Sequence, residues 1–387
     1  MSALPPLVAP GEPLTREETE RYARQVILPG IGLEGQRRLK NARVLVVGAG
    51  GLGSPVLLYL AAAGVGTIAV IDDDDVDASN LQRQVIHRTA DVGTAKVESA
   101  AAAVAALNPL VTVVPLRERL TAANVRDLVA GHDLVIDGTD NFATRYLVSD
   151  AAELAGRPVV WGSILRFDGQ VSVFWGRHGP TYRDLFPEPP APGSVPDCAT
   201  AGVVGALCAA IGSMMATEAI KLITGTGTTL LGRILVFDAL TAGWRELRVA
   251  PDPDRAPVTG LEDPGAGGAA AVGPSDVEVA TISATELAAL LAERDAGRAE
   301  VDVIDVREPT EAAIVAIDGA RLVPMDELLS GRVRLDLARP VVLHCKAGTR
   351  SAAVGRHLIA AGHPDVRHLD GGILAWVRDV EPDKPRY

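Results

Sequence analysis

The spacing of apolar and polar residues predicts alternating strands and helices between Thr15 and about Val249. Short runs of β-branched and other apolar residues alternate there with helical runs rich in Ala and Leu. Such alternation is typical of βαβ units and a mostly parallel sheet. The last strands, near Val171 and Leu235, lack full-length helices between them, so we expect antiparallel pairing there. The predicted strands of this region include Ala42–Val47, Ile68–Asp72, Val111–Leu116, Leu134–Asp137, Val159–Gly162 and Val171–Trp175.

Two segments lack this pattern. Residues 1–14 are rich in proline, so we expect an N-terminal extension that is disordered or loosely attached. Residues 250–278 are rich in Pro, Gly and Ala, which predicts a flexible linker after a first domain at 15–249. A second alternation predicts a small α/β domain at 279–387. Its predicted elements are a helix at Thr281–Leu291, strands at Asp302–Asp305 and Pro340–His344, and a helix at Ser351–Ala361.

Composition excludes several classes of function. Hydrophobic residues make up 48% of the 387, which is ordinary for a globular protein. A net charge of −12 predicts no nucleic-acid partner, since nucleic-acid binding requires a basic surface. Three cysteines cannot build a disulfide framework and no export signal is visible, so we expect a cytoplasmic protein. The uncharged stretch from Cys198 to Thr217 is as long as a bilayer span, but it is rich in Ala, Gly and Ser. We interpret it as a core helix and expect no membrane association.

A glycine-rich motif follows the first predicted strand. Gly48, Gly50 and Gly53 form a G-x-G-x-x-G pattern that opens a helix ending near Ala63. Glycines let the backbone approach a phosphate, and a helix N-terminus offers N–H donors. The next strand ends at Asp72, whose carboxylate can accept hydrogen bonds from ribose hydroxyls. This combination is usually typical of NAD binding, so an NAD-dependent oxidoreductase remains an alternative.

The residues that follow favour a triphosphate. Arg83 and Lys96 would bring two cations to the pocket, and phosphoryl-type chemistry needs positioned cations and a metal. Asp140 follows a predicted strand and is a reasonable Mg²⁺ ligand. For Arg83 or Lys96 alone, solvated surface charge is the simpler interpretation, but the joint occurrence of these elements favours a site.

These motifs, in this order, resemble the ubiquitin-activating superfamily, and most closely the bacterial adenylyltransferases that activate sulfur carrier proteins. GAGGLG, Asp72, SNLQRQ, Lys96 and GTDN carry the resemblance, which covers about residues 15–249. It implies a Rossmann-like ATP-binding domain with a mixed sheet, with Mg²⁺ on Asp140 and phosphate charge stabilised by Arg83. It also implies ATP contacts from Gly51, Asp72, Ser79, Asn80, Leu81, Gln82, Arg83, Lys96, Asp140 and Asn141.

The resemblance further implies a homodimer and a reaction. Arg24 matches an arginine that such enzymes supply from the neighbouring subunit. The reaction is adenylation of the C-terminal carboxylate of a carrier protein ending in Gly-Gly, because a carboxylate is inert to sulfur nucleophiles and an acyl-adenylate is not. The sequence ends in Arg386-Tyr387, so we do not expect it to be the carrier itself.

Two departures from the family pattern concern cysteine. Many relatives hold a structural zinc with two C-x-x-C pairs, and the matching stretches here, at 181–184 and 250–253, contain no cysteine. We therefore expect no zinc. Cys198 matches a loop cysteine that faces the adenylate in relatives, implying a thioester or mixed-disulfide intermediate, although an inert cysteine is an alternative. Cys208 lies in an apolar run and is interpreted as a packing residue.

A second reactive cysteine follows the strand that ends at His344. In Cys345-Lys346-Ala347-Gly348-Thr349-Arg350 the cysteine heads a loop before a helix, where backbone N–H groups, Lys346 and Arg350 favour the thiolate. This loop, with Asp305-Val306-Arg307-Glu308 and Leu369-Asp370-Gly371-Gly372, resembles rhodanese sulfurtransferases. A cysteine phosphatase has a loop one residue longer, and an inactive binding module usually lacks the cysteine; both remain alternatives.

Together the two resemblances imply one relay. The first domain would activate the carrier as its adenylate. Cys345, assisted by Arg350, would accept sulfur from thiosulfate or a cysteine desulfurase and deliver it to form a carrier thiocarboxylate. The linker would keep the Cys345 loop at a high effective concentration near the adenylate.

Overall fold

The computed structural model describes residues 4–190, 202–261, 279–336 and 338–386. The chain forms two compact units, residues 1–269 and 270–387. Cys198 and most of the predicted linker lie outside the described residues.

The first unit is built on an eight-stranded mixed sheet in the order β3-β2-β1-β4-β5-β6-β7-β8. Strands β1 to β5 pair in parallel, and β5 to β8 pair antiparallel, as the sequence predicts. The predicted boundaries agree with the observed strands within a few residues. The strands are Arg43–Val47 (β1), Thr67–Ile71 (β2), Thr112–Leu116 (β3), Leu134–Asp137 (β4), Val159–Leu165 (β5), Asp168–Phe174 (β6), Arg233–Asp238 (β7) and Gly243–Arg248 (β8).

The sheet has a hydrophobic core on each face. In β1, Val44 and Val46 join one buried cluster, and Leu45 and Val47 join the other, because successive side chains of a strand point to opposite faces. The helices of this unit are Arg16–Arg21 (α1), Ala23–Val26 (α2), Gly32–Asn41 (α3), Gly53–Ala63 (α4), Lys96–Leu107 (α5), Val125–Ala130 (α6), Phe142–Ala155 (α7), Tyr182–Leu185 (α8) and Gly205–Thr224 (α9).

Helix α9 contains most of the uncharged stretch. It is long and apolar enough to cross a membrane, but Leu207, Ile211 and Met215 are fully buried in the core that α4, β5 and β6 also form. Cys208 is also buried there, as predicted. The structure thus supports the interpretation of this stretch as a core helix.

The segment before residue 15 differs from the disordered extension that the sequence predicts. Over residues 4–14 the chain lies against the first unit: Val8 is buried, the Leu7 N–H donates to the Leu222 carbonyl, and the Gly11 N–H donates to the Arg37 carbonyl. Backbone hydrogen bonds hold this proline-rich segment, and composition alone does not reveal them.

The start of the predicted linker also packs on the first unit. Arg255 bridges Asp184 and Glu153 with contacts of 3.1 and 3.0 Å, and the Asp252 N–H donates to Asp184. Leu261 packs against the buried cluster on the same side of the sheet. The Asp252 N–H bond joins the two stretches, 181–184 and 250–253, in which relatives were expected to hold zinc. The Arg255 ion pairs lie just after the second stretch and hold it to the same side of the unit.

The second unit is a five-stranded parallel sheet in the order β11-β10-β12-β13-β9. Ala280–Ile282 is a strand where the sequence predicted the start of a helix, and the helix begins at Ala284 because Ser283 caps it. The strands are Ala280–Ile282 (β9), Asp302–Asp305 (β10), Arg321–Leu322 (β11), Val341–His344 (β12) and Val366–Leu369 (β13). The helices are Ala284–Asp295 (α10), Pro309–Ala312 (α11), Met325–Leu329 (α12), Thr349–Ala360 (α13) and Gly372–Asp379 (α14).

Candidate active sites

The glycine-rich loop runs from the end of β1 into α4. Gly48 has a φ of +93°, and a Cβ at Gly53 would lie 2.0 Å from the Gly48 carbonyl oxygen, so both positions require glycine. No side chain caps the N-terminus of α4. The loop therefore presents a helix N-terminus with a positive dipole end, which suits an anionic phosphate.

A cavity of about 350 Å³ opens beside this loop, at the carboxyl ends of the parallel strands. Ligands of open α/β sheets bind at this edge. Six predicted residues line the cavity: Gly51, Asp72, Arg83, Lys96, Asp140 and Asn141. The sequence does not fix which of Asp72 to Asp75 contacts the ribose, and Asp73 and Asp74 also line the cavity, as do Gln84 and Thr139 of the quoted motifs. The lining residues that were not predicted include Glu118, Arg119, Thr144 and Arg145.

Two predicted cations reach the cavity with different anchors. Lys96 is buried and its Nζ lies 2.7 Å from the exposed Asp74 carboxylate. Arg83 donates through Nη1 to the Ser79 carbonyl at 3.1 Å, which uses one of the five guanidinium donors. Both side chains are therefore oriented before a nucleotide arrives.

The predicted ribose acceptor Asp72 is tied to the loop. Its Oδ2 accepts from the Ala49 N–H at 2.8 Å and its Oδ1 from the Asp74 N–H at 2.9 Å. Burial raises the pKa of this carboxyl group, although Lys96 and the two N–H groups oppose that shift. Each oxygen keeps a second lone pair that can accept from a hydroxyl.

Arg145 is one of two arginines at the cavity, with Arg119, that were not predicted from the sequence. Its guanidinium donates to the Thr139 carbonyl at 2.9 Å and lies over the Trp161 ring. Burial raises the pKa of Asp137, at the end of β4, against the opposing charge of Arg145. The sequence could have indicated Arg145 as a site residue, because it lies on the first turn of α7, shortly after the GTDN motif that already suggested a site.

The other predicted contacts do not line the cavity. Ser79 and Asn80 belong to a short 3₁₀ helix that Asp77 caps. The Gln82 carbonyl oxygen lies close to the backbone of Gly205. This run, including Leu81, therefore shapes the loop that carries Arg83. Arg24 lies exposed on α2, away from the cavity lining. Asn141 lines the cavity, but its Oδ1 caps α7 by accepting from the Thr144 N–H.

In the second unit Cys345 follows β12 at the centre of the sheet. Its Sγ is almost fully buried and accepts from the Gly348 N–H at 3.1 Å. Helix α14 holds the loop from the other side, because the Ile373 and Leu374 N–H groups donate to the Cys345 and Lys346 carbonyls. The Ser351 hydroxyl also donates to this sulfur at 3.5 Å. Donors placed in this way favour negative charge on a sulfur atom.

Arg350, predicted to assist catalysis, forms a two-point ion pair with Glu311. Its Nη1 and Nη2 each lie 2.7 Å from a carboxylate oxygen of Glu311. Such bidentate pairs fix geometry as well as charge. The pair ties the end of the Cys345 loop to α11, so the geometry supports a positioning role for Arg350, and its catalytic role stays a prediction.

A buried polar cluster lies behind the loop. Arg307 and Asp305 form an ion pair with less than 2% of either residue exposed, and Arg307 also donates to the Val315 carbonyl. His344 is fully buried, with Nε2 3.8 Å from Asp305. Burial lowers the pKa of His344 to about 4, against the attraction of Asp305.

This shift predicts acid sensitivity of the second unit. The unfolded chain binds a proton at His344 below about pH 6.5 and the folded chain does not until about pH 4. Stability contributed by neutral His344 is therefore present above pH 6.5 and lost as pH falls toward 4, by about 3 kcal/mol. Hydrogen exchange of the β12 amides, corrected for intrinsic rates, measures the loss. His344→Leu should flatten the profile, and the exposed control His357→Gln should keep it. Equal slopes in all three proteins would contradict the assignment.

Comparisons with known proteins agree with both sites. The sequence model of the ThiF family matches residues 22–258, and that of the rhodanese-like domain matches residues 283–379. The chain is 52% identical over 394 aligned positions to the "Probable adenylyltransferase/sulfurtransferase MoeZ" of Mycobacterium tuberculosis (strain CDC 1551 / Oshkosh), and the alignment covers all of both chains.

The chain belongs to the ThiF family. Its first part is also 54% identical over 253 positions to a "Sulfur carrier protein adenylyltransferase" of Thermus thermophilus, covering 64% of this chain and 93% of that one. A crystal structure of E. coli MccB with ATP shares the fold, with a TM-score of 0.52, 21% identity and coverage of 64% of this chain and 76% of that chain.

These findings confirm the two resemblances that the sequence suggested. The chain is an adenylyltransferase and sulfurtransferase of this family, with a mixed-sheet ThiF unit and a rhodanese-like unit. The alternative of an NAD-dependent oxidoreductase gains no support from these relatives.

Proposed function

We propose that the first unit uses ATP and Mg²⁺ to adenylate the C-terminal Gly-Gly of a sulfur carrier protein, and that Cys345 then supplies the sulfur. The observation that carries this proposal is the presence of two complementary sites in one chain. One is a phosphate-binding loop with Arg83 and Lys96 at its cavity, and the other is a buried cysteine beneath a backbone N–H.

In the first reaction the carrier carboxylate attacks the α-phosphorus of ATP, and the bond to the β-phosphate oxygen breaks, releasing pyrophosphate. The helix N-terminus of α4, Arg83 and Lys96 would stabilise the charge that develops on the phosphate oxygens. The exposed Asp140 carboxylate at the cavity fits a magnesium ion bound mainly by nucleotide phosphates. Magnesium neutralises phosphate charge when bound.

In the second reaction the terminal sulfur of the Cys345 persulfide attacks the adenylate carbonyl and AMP leaves. This gives an acyl disulfide between the carrier and Cys345. Cys198, outside the described residues, would release the thiocarboxylate by attacking Cys345 Sγ, and a thiol reductant would then reduce the Cys198–Cys345 disulfide; alternatively, Cys198 would take the acyl group transiently. Thiosulfate or a cysteine desulfurase would reload Cys345.

Three further features belong to the proposal. The relatives' names support a carrier protein as substrate, and Arg24 on the exposed face of α2 suits donation to a neighbouring subunit in a homodimer. We place the enzyme in the cytoplasm, where thiols stay reduced. We also expect no zinc, since the chain has three cysteines and the Asp252 N–H already donates to Asp184 between the stretches concerned.

The test is incubation with ATP, Mg²⁺, thiosulfate, a thiol reductant and a carrier protein ending in Gly-Gly. We expect carrier-dependent exchange of pyrophosphate into ATP, and mass spectrometry should show the carrier gaining one sulfur in place of one oxygen. A carrier lacking its final glycine is the control and should give neither. NADH binding without any exchange would overturn the proposal.

A further inference from the structure

A line of polar contacts lies behind the glycine-rich loop and reaches the Ala49 carbonyl. His87 is buried, and its Nε2 lies 2.9 Å from the Ala49 carbonyl oxygen. Its Nδ1 lies 2.9 Å from the Ser99 hydroxyl. Ser99 in turn contacts Asp91 Oδ2 at 2.8 Å. The line runs Asp91, Ser99, His87, Ala49.

The end of this line is the central peptide of the phosphate loop. Ala49 lies between Gly48 and Gly50, whose backbones have no side chain to restrict them. Its N–H is held by Asp72 at 2.8 Å and its carbonyl by His87. With both polar groups held, the peptides on either side of Ala49 cannot rotate to turn a carbonyl toward the phosphate.

Through Ser99 the line also includes the helix that carries Lys96, the lysine at the cavity. Ser99 and Lys96 lie one turn apart on α5, and Lys96 is itself paired with Asp74. His87 therefore links the loop to the helix that positions Lys96. Both structural elements that contact phosphate in the proposed reaction share this anchor.

The number of donor hydrogens decides which ring nitrogen of His87 carries the proton. The three contacts, Ala49 to His87, His87 to Ser99 and Ser99 to Asp91, would need three donor hydrogens. A neutral His87 and the Ser99 hydroxyl supply only two. Burial lowers the pKa of His87 despite the nearby carboxylates Asp72 and Asp91, and Lys96 adds to that effect. The neutral ring has one N–H, and the Ala49 carbonyl can only accept. The hydrogen therefore belongs on Nε2, and Ser99 is shared between His87 and Asp91.

We propose that His87 is a positioning residue for nucleotide binding, whose Nε2–H fixes the Ala49 carbonyl and thereby the orientation of the glycine-rich loop. This inference rests on the proposed adenylation activity. His87 acts through the backbone of Ala49 and Gly50, which would bind phosphate, and the proposal assigns it no part in the bond-making step.

Two isosteric substitutions separate the two ring nitrogens. The amide nitrogen of glutamine takes the place of Nε2, so His87→Gln keeps a donor for Ala49. The amide nitrogen of asparagine takes the place of Nδ1, so His87→Asn keeps the Ser99 contact and loses the one to Ala49. We expect the KM for ATP in pyrophosphate exchange to rise about tenfold in His87→Asn and to stay within about threefold of wild type in His87→Gln. The kcat should change less than about twofold in both.

A matched control exists in the same unit. His132 is also buried, and its Nδ1 lies 2.6 Å from the Leu128 carbonyl, away from the cavity. His132→Gln, whose amide nitrogen replaces Nε2, loses the contact with the Leu128 carbonyl. It should lower thermal stability by an amount similar to His87→Asn and leave the KM for ATP unchanged. Ser99→Ala should raise that KM by about threefold, since it loosens the ring without removing the Nε2 contact.

The outcomes are distinguishable. If wild-type protein shows no exchange with any Gly-Gly carrier, the proposed function fails first. If wild type exchanges and His87→Asn has the wild-type KM, or if His87→Gln is as impaired as His87→Asn, the positioning role is wrong. Should His87→Asn not fold, Ser99→Ala decides: an unchanged KM overturns the proposal, and a raised KM with constant kcat supports it.

Discussion

Replacement of Cys345 by serine is expected to reduce thiocarboxylate formation more than about 10³-fold, while carrier-dependent pyrophosphate exchange stays at the wild-type rate. Serine keeps the size of the side chain and its contact with the Gly348 N–H. It cannot form a persulfide, because an alkoxide is not available at neutral pH and does not accept sulfane sulfur. The effect should therefore be confined to chemistry at this atom.

Two other cysteines serve as controls for this prediction. Cys208→Ser changes a buried packing residue of the first unit and should keep transfer of sulfur from thiosulfate to cyanide. Cys198→Ser should also keep that transfer, yet slow release of the thiocarboxylate from the acyl disulfide. Mass spectrometry of the trapped protein locates the extra sulfur. Finding it on Cys208 or Cys198 in wild-type protein would contradict the assignment to Cys345.

Much of the fold was predictable because local patterns determine it. Strand β4 has the predicted bounds, Leu134–Asp137. Three consecutive apolar residues, followed by Asp137, lie there between polar turns, and this local pattern is enough to predict a buried strand. The loop at Cys345 was predictable for the same reason, because it lies between a buried strand and a helix. These features depend on neighbours in the sequence.

The remaining features depend on distant residues. Glu311 meets Arg350 across 39 positions, and His87 meets Ala49 across 38. No rule of sequence spacing links such distant pairs. Arg350 was therefore predicted only as a loop cation that acts on the sulfur, and the structure shows that Glu311 is its partner. The segment 4–14 was predicted as disordered for the same reason: its stabilising contacts lie with Leu222 and Arg37, far along the chain.

In the first unit, replacement of Arg83 is expected to have a similarly large effect on activity. Arg83→Ala should lower pyrophosphate exchange by about 10² to 10³, the effect of removing one preorganised donor to developing charge. Transfer of sulfur from thiosulfate to cyanide by the second unit should be unchanged. Arg88→Ala, which removes an exposed arginine five residues away and outside the cavity lining, is the matched control and should keep the wild-type exchange rate.

Arg83 should matter more than its exposure suggests, because the other cation is already paired. Lys96 neutralises Asp74 at 2.7 Å, so part of its charge is offset before ATP binds. Arg83 is held only by the Ser79 carbonyl among the contacts described, and a carbonyl removes none of its positive charge. Arg83→Lys should therefore recover part of the activity, since it restores charge but not the forked geometry. If Arg83→Ala keeps exchange within about threefold of wild type, the phosphate charge is stabilised elsewhere, and Arg145 or Arg119 at the same cavity becomes the residue to test.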